Sequence, residues 1–351
     1  LLREYRKIIE KQIPPPTLEE RKEAALRAQQ EALRFGVTGV HSCETLQEWE
    51  ALAALDAEGK LMVRVHHLLP PDQLEPARSR GIELGKGSER LWLGQVKLYA
   101  DGSLGSGTAL LHEPYTDNPS ERGLATLTPN ELQERMELAY QYGGDVGVHA
   151  IGDQAVTNAL TAIAAARKKH PGPRRDRIEH VQLVYPDDLT LFHDLDVVAS
   201  VQPVHLLTDM PVAEKKWGMD RCRYAYAWKS LLDAGVRLQF GSDAPVEAIN
   251  PLLSIHAAVT RQSLSGIPKT GWFPDQKLTL EEVMHAFTQV PAWVSRKESQ
   301  LGTIAPGKKA DLVVFRQDLF RTASGQLASV DVEMTVVNGG VLFSRRQTSA
   351  A

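Results

Sequence analysis

Seven short apolar runs, each suited to burial on both faces and each set apart from the next by a helix-length stretch, restrict what this chain can fold into. They are Val37–His41, Leu61–Val65, Gln95–Leu98, Val146–His149, Arg177–His180, Val197–Val201 and Arg237–Phe240. Between and before them the apolar residues fall at helical spacing, notably over Thr17–Phe35, around Leu46–Leu52, and over Thr128–Tyr142, Asp153–Lys169, Pro186–His193 and Ala225–Ala234. Thr17 followed by Glu19 and Glu20 is a helix start, and Gly36 is a helix stop. Strands buried on both faces and alternating with amphipathic helices predict an α/β fold, a parallel sheet covered on both sides through right-handed crossovers. A (β/α)8 TIM-like barrel is the expected form. It needs eight strands, so the first is missing or displaced. A doubly wound open sheet is the alternative, but no Gly-rich phosphate fingerprint follows an early strand.

A chain of 351 residues with 42% hydrophobic residues has room for a barrel of about 250 residues and a small appendage. The texture changes after about Ala286. Leu301–Lys309 is turn-rich, and Ala310–Phe315, Val332–Val337 and Val341–Phe343 read as strands, the last two joined hairpin-fashion at Asn338-Gly339-Gly340. We therefore expect a barrel over 1–300 and a β-sandwich appendage, a remnant, over 301–351.

A net charge of −4 and a pI near 6.3 supply no basic field for nucleic acid or an anionic membrane, so the expected partner is a small-molecule substrate, with a homodimer as the commonest soluble assembly. Cys43 and Cys222 are too far apart in sequence for a CxxC site and read as reduced structural thiols, which points to the cytoplasm. No run of 18 apolar residues exists to span a membrane. The chain opens at Leu1 on a charged helical pattern, Leu2–Glu10, so the true N-terminus is expected upstream and a removed signal peptide stays open.

Four strand-end residues carry chemistry: Lys97, His149, His180 and Asp243. Barrel strands end at the catalytic face, so all four can reach one mouth. Imidazole is a favoured ligand for zinc and similar cations, although a single strand-end histidine is more often structural. Lys97 lies inside an apolar run, where an ammonium must be paired, neutralised or modified. Asp101 and Asp243 are its candidate ion-pair partners, and carbamylation to a metal-bridging carboxylate is the sharper option. Asp243 can hold metal and act as general base, against a plain turn aspartate. At the second rank, His41, Asp101, Gln202, His205 and Arg223 are candidate substrate contacts, with structural roles as the competing reading.

Six phrases in order, Val96–Ser106 (VKLYADGSLGS), Val148–Asp153 (VHAIGD), Arg177–His180 (RIEH), Ser200–Pro203 (SVQP), Gly241–Val246 (GSDAPV) and Leu301–Asp311 (LGTIAPGKKAD), resemble the amidohydrolase superfamily, most closely its amidohydrolase-3 type branch, which includes N-substituted formamide deformylase. The resemblance runs from about Gly36 to the end of the chain. It implies a metal-dependent hydrolase barrel in which Lys97 is carbamylated, Lys97, His149 and His180 bind metal, and Asp243 is both ligand and general base. The implied cofactor is a divalent metal, zinc by preference, with one or two ions in the intact parent and at most one here.

The family also carries an HxH pair on its first strand, and this chain has none. His66-His67 cannot replace it, because adjacent residues of a strand point to opposite faces. The missing strand, the missing pair and half of the β-sandwich are expected upstream of Leu1, with activity impaired accordingly. The leading expectation is an amidohydrolase cleaving a carbon–nitrogen bond other than a peptide bond with a metal-activated water. The competing readings are a catalytically lapsed barrel serving as a binding or regulatory module, and a metal-dependent isomerase.

Overall fold

The computed structural model describes residues 14–348, so the helical pattern expected over Leu2–Glu10 lies outside the described residues. Seven parallel strands run β1 (Gly39–Cys43), β2 (Arg64–Leu69), β3 (Leu91–Tyr99), β4 (Asp145–Ala150), β5 (Arg177–His180), β6 (Val198–Val201) and β7 (Leu238–Phe240). Each pairs with its neighbour in chain order, and the sheet curls into a half-barrel. β1 and β7 are not hydrogen bonded strand to strand. They meet through side chains, His41 Nδ1 accepting from Gln239 Nε2 at 3.2 Å.

Helices follow where the caps dictate. Thr17 and Glu20 form a reciprocal capping box at the start of Leu18–Arg34, and Thr128 with Glu131 does the same for Pro129–Gln141. Helix Asp153–Lys169 buries an alanine-rich face, Ala155, Ala159, Ala162 and Ala166, which allows it to pack closely on the sheet. The main core lies between helices Pro129–Gln141 and Asp153–Lys169, with those that follow, and the outer faces of β3–β7, whereas Leu18–Arg34 packs in a second cluster with β2.

β1 lies two residues beyond the expected Val37–His41, β3 begins at Leu91 rather than Gln95, and β2 departs furthest from expectation. The run Leu61–Val65 is largely consumed by the end of helix Leu46–Ala57: Lys60 N and Leu61 N both donate to Leu55 O, so pairing begins only at Arg64. The strand then continues through His66 and His67, both fully buried, to Leu69. As the alternation requires, these two histidines part company: His66 stacks on His41 at 4.4 Å inside the barrel, and His67 meets Trp49 on the opposite face.

The C-terminal strands β8 (Leu312–Phe315), β9 (Val332–Val337) and β10 (Gly340–Ser344) form a separate antiparallel sheet. Asn338 and Gly339, at φ +53° and +81°, make the tight turn between the last two. Arg64 clamps this sheet to β2 through both oxygens of Asp311, at 2.6 and 3.0 Å. Thr335 Oγ1 donates to Leu33 O at 2.6 Å, fixing the other side.

Candidate metal centre

Lys97, His149, His180 and Asp243 all line one cavity of about 1870 Å³, which extends from the C-terminal mouth of the half-barrel along its open side to Leu61, Val63 and Val313. Strand alternation explains part of this convergence. Gln95, Lys97 and Tyr99 share the inner face of β3, and Gly147 and His149 share that of β4, where Lys97 pairs with Gly147 and Tyr99 with His149. His180 is different. Arg177 and Glu179 take the inner face of β5, so alternation alone turns His180 outward; a φ of +77°, followed by +44° at Val181, brings it back to the mouth. Asp243 follows β7 at φ +60°, again in the left-handed region.

The two histidines are 4.5 Å apart, ring centre to ring centre. His180 Nδ1 donates to Gln202 Oε1 at 2.8 Å, which leaves Nε2 with a lone pair facing the cavity. Burial first, then His149, Lys97 and His205 nearby, push the His180 imidazole well below its usual pKa of 6.5, so it is neutral and able to donate. His149 Nε2 donates to Gly102 O at 2.7 Å and lies 3.5 Å from Asp101 Oδ1, leaving its Nδ1 free; burial, then the Lys97 ammonium, bring its pKa to about 4.

Lys97 is buried at 6% exposure, yet no carboxylate pairs with it among the described residues. The ion pairs expected with Asp101 or Asp243 do not form. Its Nζ sits over the Tyr99 ring at 5.1 Å.

The second-rank candidates divide. Asp101 and Arg223 lie outside the cavity lining, against the expectation of substrate contact. The Asp101 carboxylate is taken up by three backbone amides, Leu110, Ile151 and Gly152 at 2.9–3.0 Å, which tie the loops after β3 and β4 together. Arg223 points to solvent beside Asp220. His41 lies mid-strand rather than at a strand end, and its Nδ1 is engaged by Arg177 Nη1 and Gln239. Gln202 orients His180, and its Nε2 donates to Ser200 O at 3.1 Å. His205 stands closest to the acid group: its Nε2 is 3.4 Å from Asp243 Oδ2.

Two residues were visible in the sequence only as members of the phrase RIEH, with no site role assigned to them. Arg177 and Glu179 form an ion pair inside the barrel, Nε to Oε1 at 2.7 Å, directly below the mouth. Their spacing of two within a strand is the signal that places them on one face, and Gly147 opposite leaves the room, since a Cβ there would fall 3.4 Å from Arg177 Nε.

One group of donors among the described residues can hold a metal ion. Its ligand atoms on His180, His205 and Asp243 lie within 4.8 Å of one another. Imidazoles and a carboxylate are donor types that borderline divalent cations take, so the side chains present fit such an ion.

The Amidohydrolase family profile matches residues 1–343. The Bacillus subtilis (strain 168) protein YtcJ is 32% identical over 353 residues, covering 96% of this chain and 64% of its own. N-substituted formamide deformylase of Arthrobacter pascens is 25% identical over 322 residues, covering 89% and 58%. The solved structure of an uncharacterized metal-dependent hydrolase from Pyrococcus horikoshii OT3 superposes with a TM-score of 0.82 at 33% identity, covering 92% of this chain and 65% of that one. The chain thus spans about three-fifths of the length of these relatives.

Proposed function

The chain belongs to the amidohydrolase family, and from that premise we propose that it is part of a metal-dependent hydrolase that opens a C–N bond of an amide-like small molecule. The observation that carries this reading is the convergence of Lys97, His149, His180 and Asp243 from four separate strands on one cavity. The likeness to N-substituted formamide deformylase favours a carbon–nitrogen bond as the one attacked.

When bound, a divalent cation, zinc by the donor chemistry, supplies Lewis-acid polarisation of a carbonyl and lowers the pKa of water. The residues of the chain do the rest. His149 and His180, each with one nitrogen tied to a neighbour, would offer the other to the ion in a fixed orientation. Lys97, buried without a carboxylate partner, is placed to become a carboxylate donor by carbamylation. Asp243, at 37% side-chain exposure, reaches both the donors and the open cavity, where its carboxylate takes the proton of an attacking water and returns it to the leaving nitrogen.

The test pairs metal analysis with turnover. The purified protein is expected to carry a transition metal and to hydrolyse N-formyl or N-acyl amines, with loss of turnover in Asp243→Asn. Metal-free protein, or metal-loaded protein inert towards every such amide, sinks the assignment. Deuterium exchange into an unhydrolysed substrate would assign the site to an isomerase instead.

A further inference from the structure

The geometry points to His205 as a direct metal ligand, completing with His180 and Asp243 a two-imidazole, one-carboxylate cation site. This inference rests on the reading above that the mouth holds a divalent cation, and adds to it a donor from a different element.

The placement of His205 follows from local structure. β6 ends at Val201, and Pro203–His205 then turns as a short 3₁₀ helix with Pro203 in its first position. In such a turn residues three apart eclipse, so Gln202 and His205 project to the same side. Gln202 reaches His180 Nδ1, and His205 passes over it towards Asp243. One turn therefore delivers both the group that orients one imidazole and a second imidazole beside it.

The donor atoms are already near the required spacing. Around an ion with bonds of about 2.0–2.2 Å, tetrahedral donors are separated by roughly 3.4 Å. His205 Nε2 and Asp243 Oδ2 stand at 3.4 Å, and all three donors lie within 4.8 Å, a difference that small side-chain rotations close. Nothing else claims these atoms: among the described residues, neither His180 Nε2 nor either ring nitrogen of His205 makes a hydrogen bond. His205 Nδ1 faces Glu247 Oε1 at 3.9 Å, a carboxylate on the side away from Asp243, in the position from which ligating histidines are commonly oriented. Both imidazoles are buried, at 7% and 8% exposure, whereas Asp243 opens to the cavity, so three protein donors leave a coordination position on the substrate side. Two nitrogens and one oxygen favour zinc-like ions over calcium or magnesium, which prefer all-oxygen shells.

The test is binding rather than turnover. Chelator-stripped protein is titrated with Zn²⁺ by calorimetry and with Co²⁺ by visible absorption, for the unaltered chain, His205→Ala, His205→Gln and His180→Ala. Affinity is expected to fall on the order of 100-fold or more in both His205 variants, with a changed Co²⁺ spectrum. Independently of any variant's folding, Zn²⁺ is expected to shield His205 from diethyl pyrocarbonate in the unaltered chain, read by peptide mass. Equal labelling of His205 with and without Zn²⁺, or unchanged affinity in His205→Gln while His180→Ala loses the ion, overturns the ligand role and leaves the hydrolase reading standing. Failure of the unaltered chain to bind either ion overturns both.

Discussion

Gln202 decides which nitrogen His180 offers. Its Oε1 can only accept, so the 2.8 Å contact with Nδ1 fixes the proton there and frees Nε2 for the cavity, while its own Nε2 is anchored on Ser200 O. Replacing Gln202 with Leu keeps the bulk and removes both contacts. The ring of His180 can then rotate and exchange tautomers, and metal affinity is expected to drop by about 10–100-fold, the usual cost of losing a partner that orients a ligand. Calorimetric titration of Zn²⁺ into Gln202→Leu checks this, and an affinity equal to that of the unaltered chain would show that Gln202 does not govern the site. Of these residues, the strand-end donors His149 and His180 are legible in the sequence because each terminates an apolar run. Gln202 and His205 are visible there only as polar residues after a strand, since the turn at Pro203 that aims them has no strand periodicity to reveal it.

At the level of elements, β4 and β5 fit together because one residue of β4 has no side chain. A Cβ on Gly147 would stand 2.9 Å from Leu68 Cδ2 and 3.4 Å from Arg177 Nε, so Gly147→Ala must displace the tip of the fully buried Leu68 side chain beside the Arg177–Glu179 pair. Overpacking of this kind costs about 1–3 kcal/mol. Gly105, in the loop after β3, has open space around its missing Cβ, and Gly105→Ala is expected to change stability by less than about 0.5 kcal/mol. Urea unfolding of the two variants compares them directly, and equal midpoints would mean that β4 yields where its packing says it cannot. The elements themselves were largely legible: helix Asp153–Lys169 and strands Arg177–His180 and Val332–Val337 fall where periodicity places them. β2 was displaced by three residues for a physical reason. Leu61–Val63 look like strand but serve the end of the preceding helix, and His66 and His67 look like a polar stop but are packed, neutral, into the barrel wall. The inward turn of His180 is likewise invisible in RIEH, because it depends on a left-handed backbone that alternation does not encode.

For the molecule as a whole, those buried imidazoles set the response to acid. Burial brings His67 down to about 4 and drives His66 and His41 well below 6.5, with neighbouring Arg177 adding to the effect on both. In the unfolded chain each histidine titrates near 6.5. Below that pH the unfolded chain binds protons that the folded one refuses, so stability is complete above about pH 6.5 and is lost as pH falls towards 4. For His67 alone the loss between pH 7 and pH 4.5 is about 2–3 kcal/mol. Asp101, whose carboxyl burial pushes up to about 7, takes up a proton in the folded chain over the same interval and opposes this loss, so the histidine contribution is read from the difference between a histidine variant and the unaltered chain. Urea unfolding followed from pH 7 to pH 4.5 in the unaltered chain and in a His67 variant isolates the His67 share as the difference between their midpoints. His67→Leu, which keeps an apolar side chain against Trp49, is expected to be less sensitive over the same interval. If the variant and the unaltered chain lose stability in parallel, His67 is protonated at no cost in the folded barrel, and the close packing of β2 against the helix Leu46–Ala57 is not what holds it neutral.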